Sequence, residues 1–386
     1  RTTLKQGGQM LVIVDETIVQ EEFIELLNQF GRPAQITFIS SSSSLFSSLR
    51  EQGISIVEAD DISKLPEAGF DDVIYFGSDP KTAEQLFSKV TASGLYNICL
   101  CNKKFNRPVV TQVGRVHYGN IRIIGTIGAN PAESMKYIPS SGEIRKGDKI
   151  NVIGAAGPMG VMHVVRNICQ GVEEISVLAG DLDNDRLAAL NKIAAPLAKK
   201  NKVGYHPYNP AQDQITEPID YTVLMAPVPK LAAAAVKAAA KGGIINIFAG
   251  IPANVSGEID LDIYIEKQLY FIGTSGSTLD DMKTVLKKVE SGQLDTNISA
   301  AAICGTEDAI AGIRAVENHL IPGKIIVYPT CKNLKLTTLD KLNEKFPQVS
   351  QCLKDGIWTK EAEAKLLDSF KKARSRGLSQ SPWEFS

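Results

Sequence analysis

The strongest constraint on this 386-residue chain is that part of it is written twice. "FDDVIYFGSDPK" (70–81) lies on "IDYTVLMAPVPK" (219–230) at a constant offset, with Asp71 on Asp220, Pro80 on Pro229 and Lys81 on Lys230. The match runs on through Gly94/Gly243, Asn97/Asn246 and Ile98/Ile247. After one gap, "RIIGTIGANPAESMK" meets "YFIGTSGSTLDDMK", pairing Ile124/Ile272, Gly125/Gly273, Thr126/Thr274 and Gly128/Gly276. Self-similarity of this extent means that one folding unit occurs twice, so a reading of either copy constrains the other.

Both copies alternate short apolar runs with helical patterns. In the second, "KINVIG", "ISVLAGD", "YTVLMA" and "IINIFAG" read as strands, separated by the helices "PMGVMHVVRNICQG", "NDRLAALNKIAAPLAKK" and "KLAAAAVKAAAKGG". In the first, the strands are "MLVIVD", "AQITFIS", "ISIVEAD", "DDVIYFG" and "YNICLC", with helices "IVQEEFIELLNQFG", "LFSSLREQG" and "PKTAEQLFSKVTASG". Buried strands joined through helices imply βαβ units and a parallel sheet. The expected fold class is therefore α/β: two tandem Rossmann-like, doubly wound parallel-sheet domains with a C-terminal helical extension. The first copy is expected to span 1–140 and the second 141–290. A closing segment follows at 291–330, then a helical extension and tail at 331–386, where Leu339, Leu342, Phe346, Leu366, Leu367 and Phe370 recur at helical spacing.

Composition removes several classes of function. With 44% hydrophobic and 22% charged residues the chain can bury a sizeable core, and 42 basic against 43 acidic residues, without a basic block, argue against a nucleic-acid partner. No apolar run reaches the roughly 18 residues that span a bilayer, and "RTTLKQGGQ" lacks the apolar core of a signal peptide. No membrane association is expected. Six cysteines, mostly within apolar runs, read as reduced and buried, which points to the cytoplasm. The chain opens on Arg1 and not methionine, as processing or a longer parent protein would give.

Chemistry enters at "INVIGAAGPMGVMHVVRN" (150–167), where a glycine-rich elbow joins a strand to a helix. Gly154, Gly157 and Gly160 form G-x-x-G-x-x-G, with Pro158 and Met159 between the last two. Such glycines let the backbone approach a pyrophosphate, whose charge is met by the N–H groups and dipole of the helix start. Asp181, at the end of the next strand, stands where a carboxylate accepts the adenosine ribose hydroxyls and repels a 2′-phosphate, selecting NAD over NADP. A solvated strand end or a helix cap is its alternative role. In the first copy the corresponding turn is Asp15-Glu16-Thr17-Ile18-Val19-Gln20, without glycine, and Ser40 and Ser41 replace the acid. Two carboxylates would oppose a pyrophosphate, so only the second copy is expected to bind a dinucleotide.

From Glu143 to Pro329 the chain resembles the medium-chain dehydrogenase/reductase superfamily, of zinc alcohol and polyol dehydrogenases and quinone oxidoreductases. The likeness rests on "IRKGDKINVIGAAGPMG", "DLDNDRL", "KAAAKGGIINIFAG", "IYIEKQLYFIGTSGS" and "AIAGIRAVENHLIPGKIIVYP". It implies that Gly154, Gly157, Pro158, Met159 and Gly160 face the pyrophosphate and that Asp181 and Arg186 flank the adenosine. It implies further that Ala226, Pro227, Gly250, Gly273, Thr274 and Ser275 line the nicotinamide side. Lys324 would touch the cofactor phosphates, or be a solvated lysine before an edge strand. The implied activity is NAD-dependent oxidation or reduction of a polyol, sugar phosphate or related alcohol or ketone.

The departures matter equally. That superfamily carries a barrel domain with a catalytic zinc held through a cysteine and a Gly-His-Glu motif, and the 386 residues contain neither Gly-His-Glu nor C-x-x-C. His117, His163, His206 and His319 are scattered. Cys99 and Cys101 share one strand face and read as buried, His163 as a packed histidine, and His117 with Tyr118 as structural more than as an acid/base pair. No catalytic residue and no metal ligand is assigned. The expected partners are a small-molecule substrate, a barrel domain upstream or on another chain, and further copies in a homo-oligomer. The alternatives are an NAD-binding regulatory module or a structural subunit without catalysis.

Overall fold

The structure, a computed structural model, describes residues 2–39, 44–273, 276–318, 320–321 and 323–375. The first repeat holds β1 (Gln9–Val14), α1 (Gln20–Phe30), β2 (Gln35–Ile39), α2 (Ser44–Glu51), β3 (Ser55–Glu58), β4 (Phe70–Phe76), α3 (Pro80–Leu86) and β5 (Val90–Cys99). It continues with β6 (Val109–Thr111), α4 (Val113–Tyr118), β7 (Arg122–Thr126) and α5 (Pro131–Lys136). The second repeat follows the same plan: β8 (Lys149–Ile153), α6 (Pro158–Ile168), β9 (Ser176–Gly180), α7 (Asn184–Asn201), β10 (Gly204–Tyr208), β11 (Ile219–Leu224), α8 (Pro229–Ala238) and β12 (Ala239–Ile247). Then come β13 (Gly257–Ile259), α9 (Leu261–Glu266), β14 (Tyr270–Ile272) and α10 (Leu279–Glu290).

Two six-stranded parallel sheets result, β3-β2-β1-β4-β5-β7 and β10-β9-β8-β11-β12-β14, with the same order of strands. The fold is α/β, as the alternation predicts. The doubled sequence has local physical reasons. Asp71 accepts the N–H of Gln9 at 2.9 Å and Asp220 that of Lys149 at 2.9 Å, so each repeated aspartate satisfies the first donor of its sheet's central strand. Pro80 and Pro229 open α3 and α8, where a missing N–H costs nothing.

Two of the expected helices end early. The pattern read as helix over 80–94 is α3 only to Leu86, and that read over 230–243 is α8 only to Ala238; β5 and β12 then begin at Val90 and Ala239. Both strands carry a register shift at equivalent places, Phe70/Asp72 and Ile219/Tyr221 of their partners. The bulge is built around left-handed residues, Ser93 (φ 60°) and Gly242 (φ 71°), which a helix does not accept.

Compactness divides the chain into two units. One comprises Arg1–Ile153, Val172–Leu178 and Asp213–Ser277, and the other Gly154–Gly171, Ala179–Gln212 and Thr278–Ser386. In the first, residues of both sheets share one core: Leu11, Tyr75, Phe87 and Ile123 belong with Leu224, Ile245, Tyr264 and Phe271, all fully buried. A second cluster around Phe23, Phe38 and Phe76 lies on the other face of the first sheet. The second unit adds β15 (Ala300–Gly305), α11 (Ala309–Glu317), β16 (Lys324–Tyr328) and β17 (Thr337–Thr338), in a sheet of order β16-β15-β17. The helices α12 (Leu342–Lys345), α13 (Pro347–Ser350) and α14 (Lys360–Ser375) cover it. Leu339, Leu342, Phe346, Leu366 and Phe370 pack there with Ile303 and Trp358, whose indole N–H donates to the Tyr328 hydroxyl at 3.0 Å. The tail "SQSPWEFS", Ser40, Ser41, Thr274, Ser275 and His319 lie outside the described residues.

Candidate functional site

In the second unit the glycine turn leaves β8 and enters α6 by three different uses of glycine. Gly154 has φ +84°, a left-handed conformation that any side chain would strain. Its N–H and that of Ala155 both donate to the Gly180 carbonyl, at 2.8 and 2.9 Å. At Gly160 a Cβ would stand 2.1 Å from the Gly154 carbonyl oxygen and 2.6 Å from the Ala155 carbonyl, so the helix can rest on the turn only without a side chain. Gly157 differs: its φ is −74°, and the sole neighbour of a Cβ would be the Gly154 oxygen at 3.7 Å. It is the cap residue of α6, whose first turn carries unpaired N–H donors by helix geometry. The open space at Gly157 and the positive helix start suit an anionic group.

Asp181 is buried, and its carboxylate accepts the Ala156 N–H at 3.0 Å and the Asp183 N–H at 3.2 Å. The acid thus clasps the glycine turn, and two of its roughly four lone-pair positions remain for another donor. Helix capping, its alternative role, falls to Asp183, which accepts the N–H groups of Asp185 and Arg186 at the start of α7. Arg186 donates to Asp183 at 2.9 Å and stands 3.9 Å from Asp181. Those bonds from Arg186 hold the Asp183 carboxyl below the usual carboxylate range. Lys324, at the start of β16, brings its ammonium within 3.4 Å of the Met159 sulfur. The turn, Asp181, Arg186 and Lys324 therefore assemble within one unit. Sequence reading missed the Ala156–Asp181 clasp and gave the cap no residue of its own, although Asp before "NDR" is itself a cap signal.

The remaining sites lie in the first unit. Ala226 and the exposed Pro227 follow β11, where the Met225 N–H donates to the Ile153 carbonyl. Gly250 and Gly273 follow β12 and β14. A Cβ at Gly250 would meet the Tyr118 hydroxyl at 2.9 Å, and one at Gly273 the His117 Cα at 3.0 Å. Parallel strands put these loops at the carboxyl edge of the sheet, whose order reverses between β8 and β11, the place where doubly wound sheets bind ligands.

In the first repeat the matching turn is closed by its own side chains. The N–H groups of Asp15 and Glu16 donate to Phe76, the Asp15 carboxylate accepts the Tyr75 hydroxyl at 2.8 Å, and Glu16 pairs with Lys103 at 2.5 Å. Tyr75 is fully buried, and burial together with the Asp15 carboxylate pushes its hydroxyl far up. Its counterpart in the second repeat is Leu224, which has no such hydroxyl.

The histidines stand apart. His117 is buried with Nδ1 3.1 Å from the Ile247 carbonyl, His163 sits on α6 with Nδ1 3.1 Å from the Met159 carbonyl, and His206 is exposed on β10. Cys99 is buried and Cys101 partly so. Among the described residues, no three His, Cys, Asp or Glu side chains are arranged to hold a metal, and no helix is long and apolar enough to cross a membrane.

No family model matches the chain. Two curated proteins are similar to part of it. The uncharacterized protein YggP of Escherichia coli strain K12 is 25% identical over 270 residues, 64% of this chain and 63% of that protein. Mannitol-1-phosphate 5-dehydrogenase of Aliivibrio fischeri is 25% identical over 250 residues, 59% of this chain and 58% of that protein. The chain thus spans about three fifths of the length of these relatives. The solved structures similar to about half of the chain include zinc-type alcohol dehydrogenases, and one is the alcohol dehydrogenase TADH from Thermus sp. ATN1. It is 22% identical with a TM-score of 0.40, covering 48% of this chain and 54% of that one.

Proposed function

We propose that the second repeat binds one NAD(H) per chain and serves an oxidoreductase acting on a polyol, sugar phosphate or related alcohol or ketone. The observation that carries this is the clasp between Asp181 and the glycine turn. It fixes a carboxylate beside a helix start that offers open backbone at Gly157. The residues present fit a dinucleotide: the turn and α6 start receive the pyrophosphate, Asp181 has acceptor capacity for ribose hydroxyls, and Lys324 adds a cation beside Met159. When bound, the nicotinamide supplies or accepts the hydride, and this chain's part is to hold and orient it. The 25% identity to mannitol-1-phosphate 5-dehydrogenase supports the choice of substrate class.

Calorimetric titration with NADH and NADPH tests the reading. One site and a preference for NADH are expected. Asp181→Asn keeps an acceptor for the Ala156 N–H but loses the charge, so it should weaken NADH binding by about 1–2 kcal/mol and narrow the discrimination against NADPH. A second equal site, or an unchanged ratio of the two nucleotides, would overturn it. Oxidation of a panel of polyols and sugar phosphates with NAD then tests the substrate class.

A further inference from the structure

β6 and β13 of the first unit pair antiparallel, as Val109↔Ile259, Val110↔Glu258 and Thr111↔Gly257, so each strand has a partner along its edge. α10, in the second unit, has no cover of this kind: none of its residues is buried. Its sequence is nevertheless that of a helix with a side to pack. Leu279, Met282, Val285, Leu286 and Val289 recur at helical spacing and fall on one face. Leu279 is 72% exposed, Met282 57% and Leu286 56%. The helix is tied to its own unit at its C-terminal end, where Lys288 donates to the Gln170 side chain at 2.6 Å and Gln293, just beyond, donates to the Gln170 carbonyl at 3.1 Å. A helix of 12 residues is marginal in water by itself, and packing of an apolar face supplies most of its stability. The capping box of Thr278 and Asp281 secures only its first turn.

The charges beside the apolar face decide what fits it. On one flank stand Asp281 and, two turns on, Lys288; on the other stand Lys283 and, two turns on, Glu290. Each flank therefore reverses its sign along the helix. A second α10 laid parallel and in register would meet like with like. Laid antiparallel, it brings Asp281 to the partner's Lys288 and Lys283 to the partner's Glu290, and a two-fold axis makes each pair twice. The same arrangement sets Met282 opposite the partner's Leu286 and Leu279 opposite the partner's Val289, apolar layers of the kind that hold paired helices together. It also opposes the two helix dipoles. α11 exposes Ile310 and Ile313 as well, but with Asp308 before its first turn and Glu317 in its last it carries acid at both ends and lacks this self-complementarity.

We infer that α10 is a self-association surface, on which a second copy of this chain docks its own α10 antiparallel along Leu279, Met282, Leu286 and Val289. A single helix pair lies at the small end of specific interfaces, so the association is weak, with a dissociation constant on the order of 10 μM. The inference stands apart from the NAD(H) reading, and neither depends on the other.

Sedimentation equilibrium of the full chain, from about 1 to 300 μM, tests it. A monomer–dimer equilibrium is expected. Leu286→Glu should leave the Tm of the dilute chain unchanged, because this leucine is exposed in the single copy, and should raise the dissociation constant about a hundredfold, because both copies lose its burial. Glu290→Lys, which sets lysine against lysine, should raise it about five- to tenfold, and adding Lys283→Glu to that variant should restore it. A chain that stays monomeric throughout would overturn the inference, as would a dimer indifferent to Leu286→Glu. Failure of the second charge change to restore the dimer would refute the antiparallel pairing. A fall in Tm of the dilute Leu286→Glu variant would mean that α10 packs within its own chain, and would overturn the inference too.

Discussion

Alanine at each of the three turn glycines should have three different consequences, because the three backbones are constrained differently. At Gly160 a methyl would lie 2.1 Å from the Gly154 oxygen, against an ordinary contact of at least 3.4 Å. The turn and α6 would have to part by about 1.3 Å, and both sides of the clash are backbone. Overpacking of that kind costs about 2–3 kcal/mol, or a fall in Tm of roughly 5–10 °C for a unit of this size. At Gly154 the methyl meets a φ of +84° and costs about 1 kcal/mol, a fall of roughly 2–4 °C. At Gly157 the φ is −74° and the nearest atom 3.7 Å away, so stability should change by less than about 0.5 kcal/mol. Yet Gly157 is where a pyrophosphate would approach, and the added methyl should weaken ADP-ribose at least about tenfold, some 1.4 kcal/mol. Thermal unfolding and calorimetry on the three variants read out both properties. If Gly157→Ala melts as early as Gly160→Ala, the steric argument is wrong. If it is stable and binds ADP-ribose like the parent, the glycines serve only to make a tight turn.

Two further outcomes follow from the site. Tyr75→Phe removes the hydroxyl that accepts the Asp79 N–H at 2.9 Å and bonds Asp15, so urea denaturation should show a loss of about 1 kcal/mol while nucleotide stoichiometry stays at one; unaltered stability would mean that the bond does not hold the first turn closed. Burial lowers the His163 pKa, against the opposing bond to the Met159 carbonyl, so the unfolded chain takes up this proton more readily than the folded one. The contribution of His163 is therefore intact above about pH 6.5 and is lost as pH falls from there toward the lower folded value. His163→Gln should flatten the decline of Tm between pH 7 and pH 5.5, and equal slopes in both proteins would refute the assignment.

The sheets were legible because their strands are buried on both faces and so read as unbroken apolar runs: Met10 to Ile13 and Val73 to Phe76 are examples. Glycine spacing likewise revealed the turn at 154–160, since few other demands place three glycines between a strand and a helix. What sequence could not show is set by contacts between the repeats. β6, β13, α4 and α9 are three to six residues long, and such elements have no periodicity of their own. Gly250 and Gly273 looked like ligand glycines by family resemblance, whereas their first physical constraint is the approach of Tyr118 and His117, some 130 to 160 residues earlier in the chain. The tyrosine that closes the first turn was readable only by setting Tyr75 against Leu224, a comparison that the repeat itself invites.

The central pair of the β6–β13 ladder sets an apolar side chain opposite a charged one. On a true two-fold axis the middle residue faces its own copy, so two second repeats joined this way would set Glu258 against Glu258. Like charges directly opposite each other on paired strands repel. Within the chain that glutamate instead meets Val110. Two unlike halves of one chain escape the obligation that binds every symmetric dimer, in which each substitution must suit both sides at once. Either half can change alone, and a carboxylate that would be ruinous opposite its twin is harmless opposite valine.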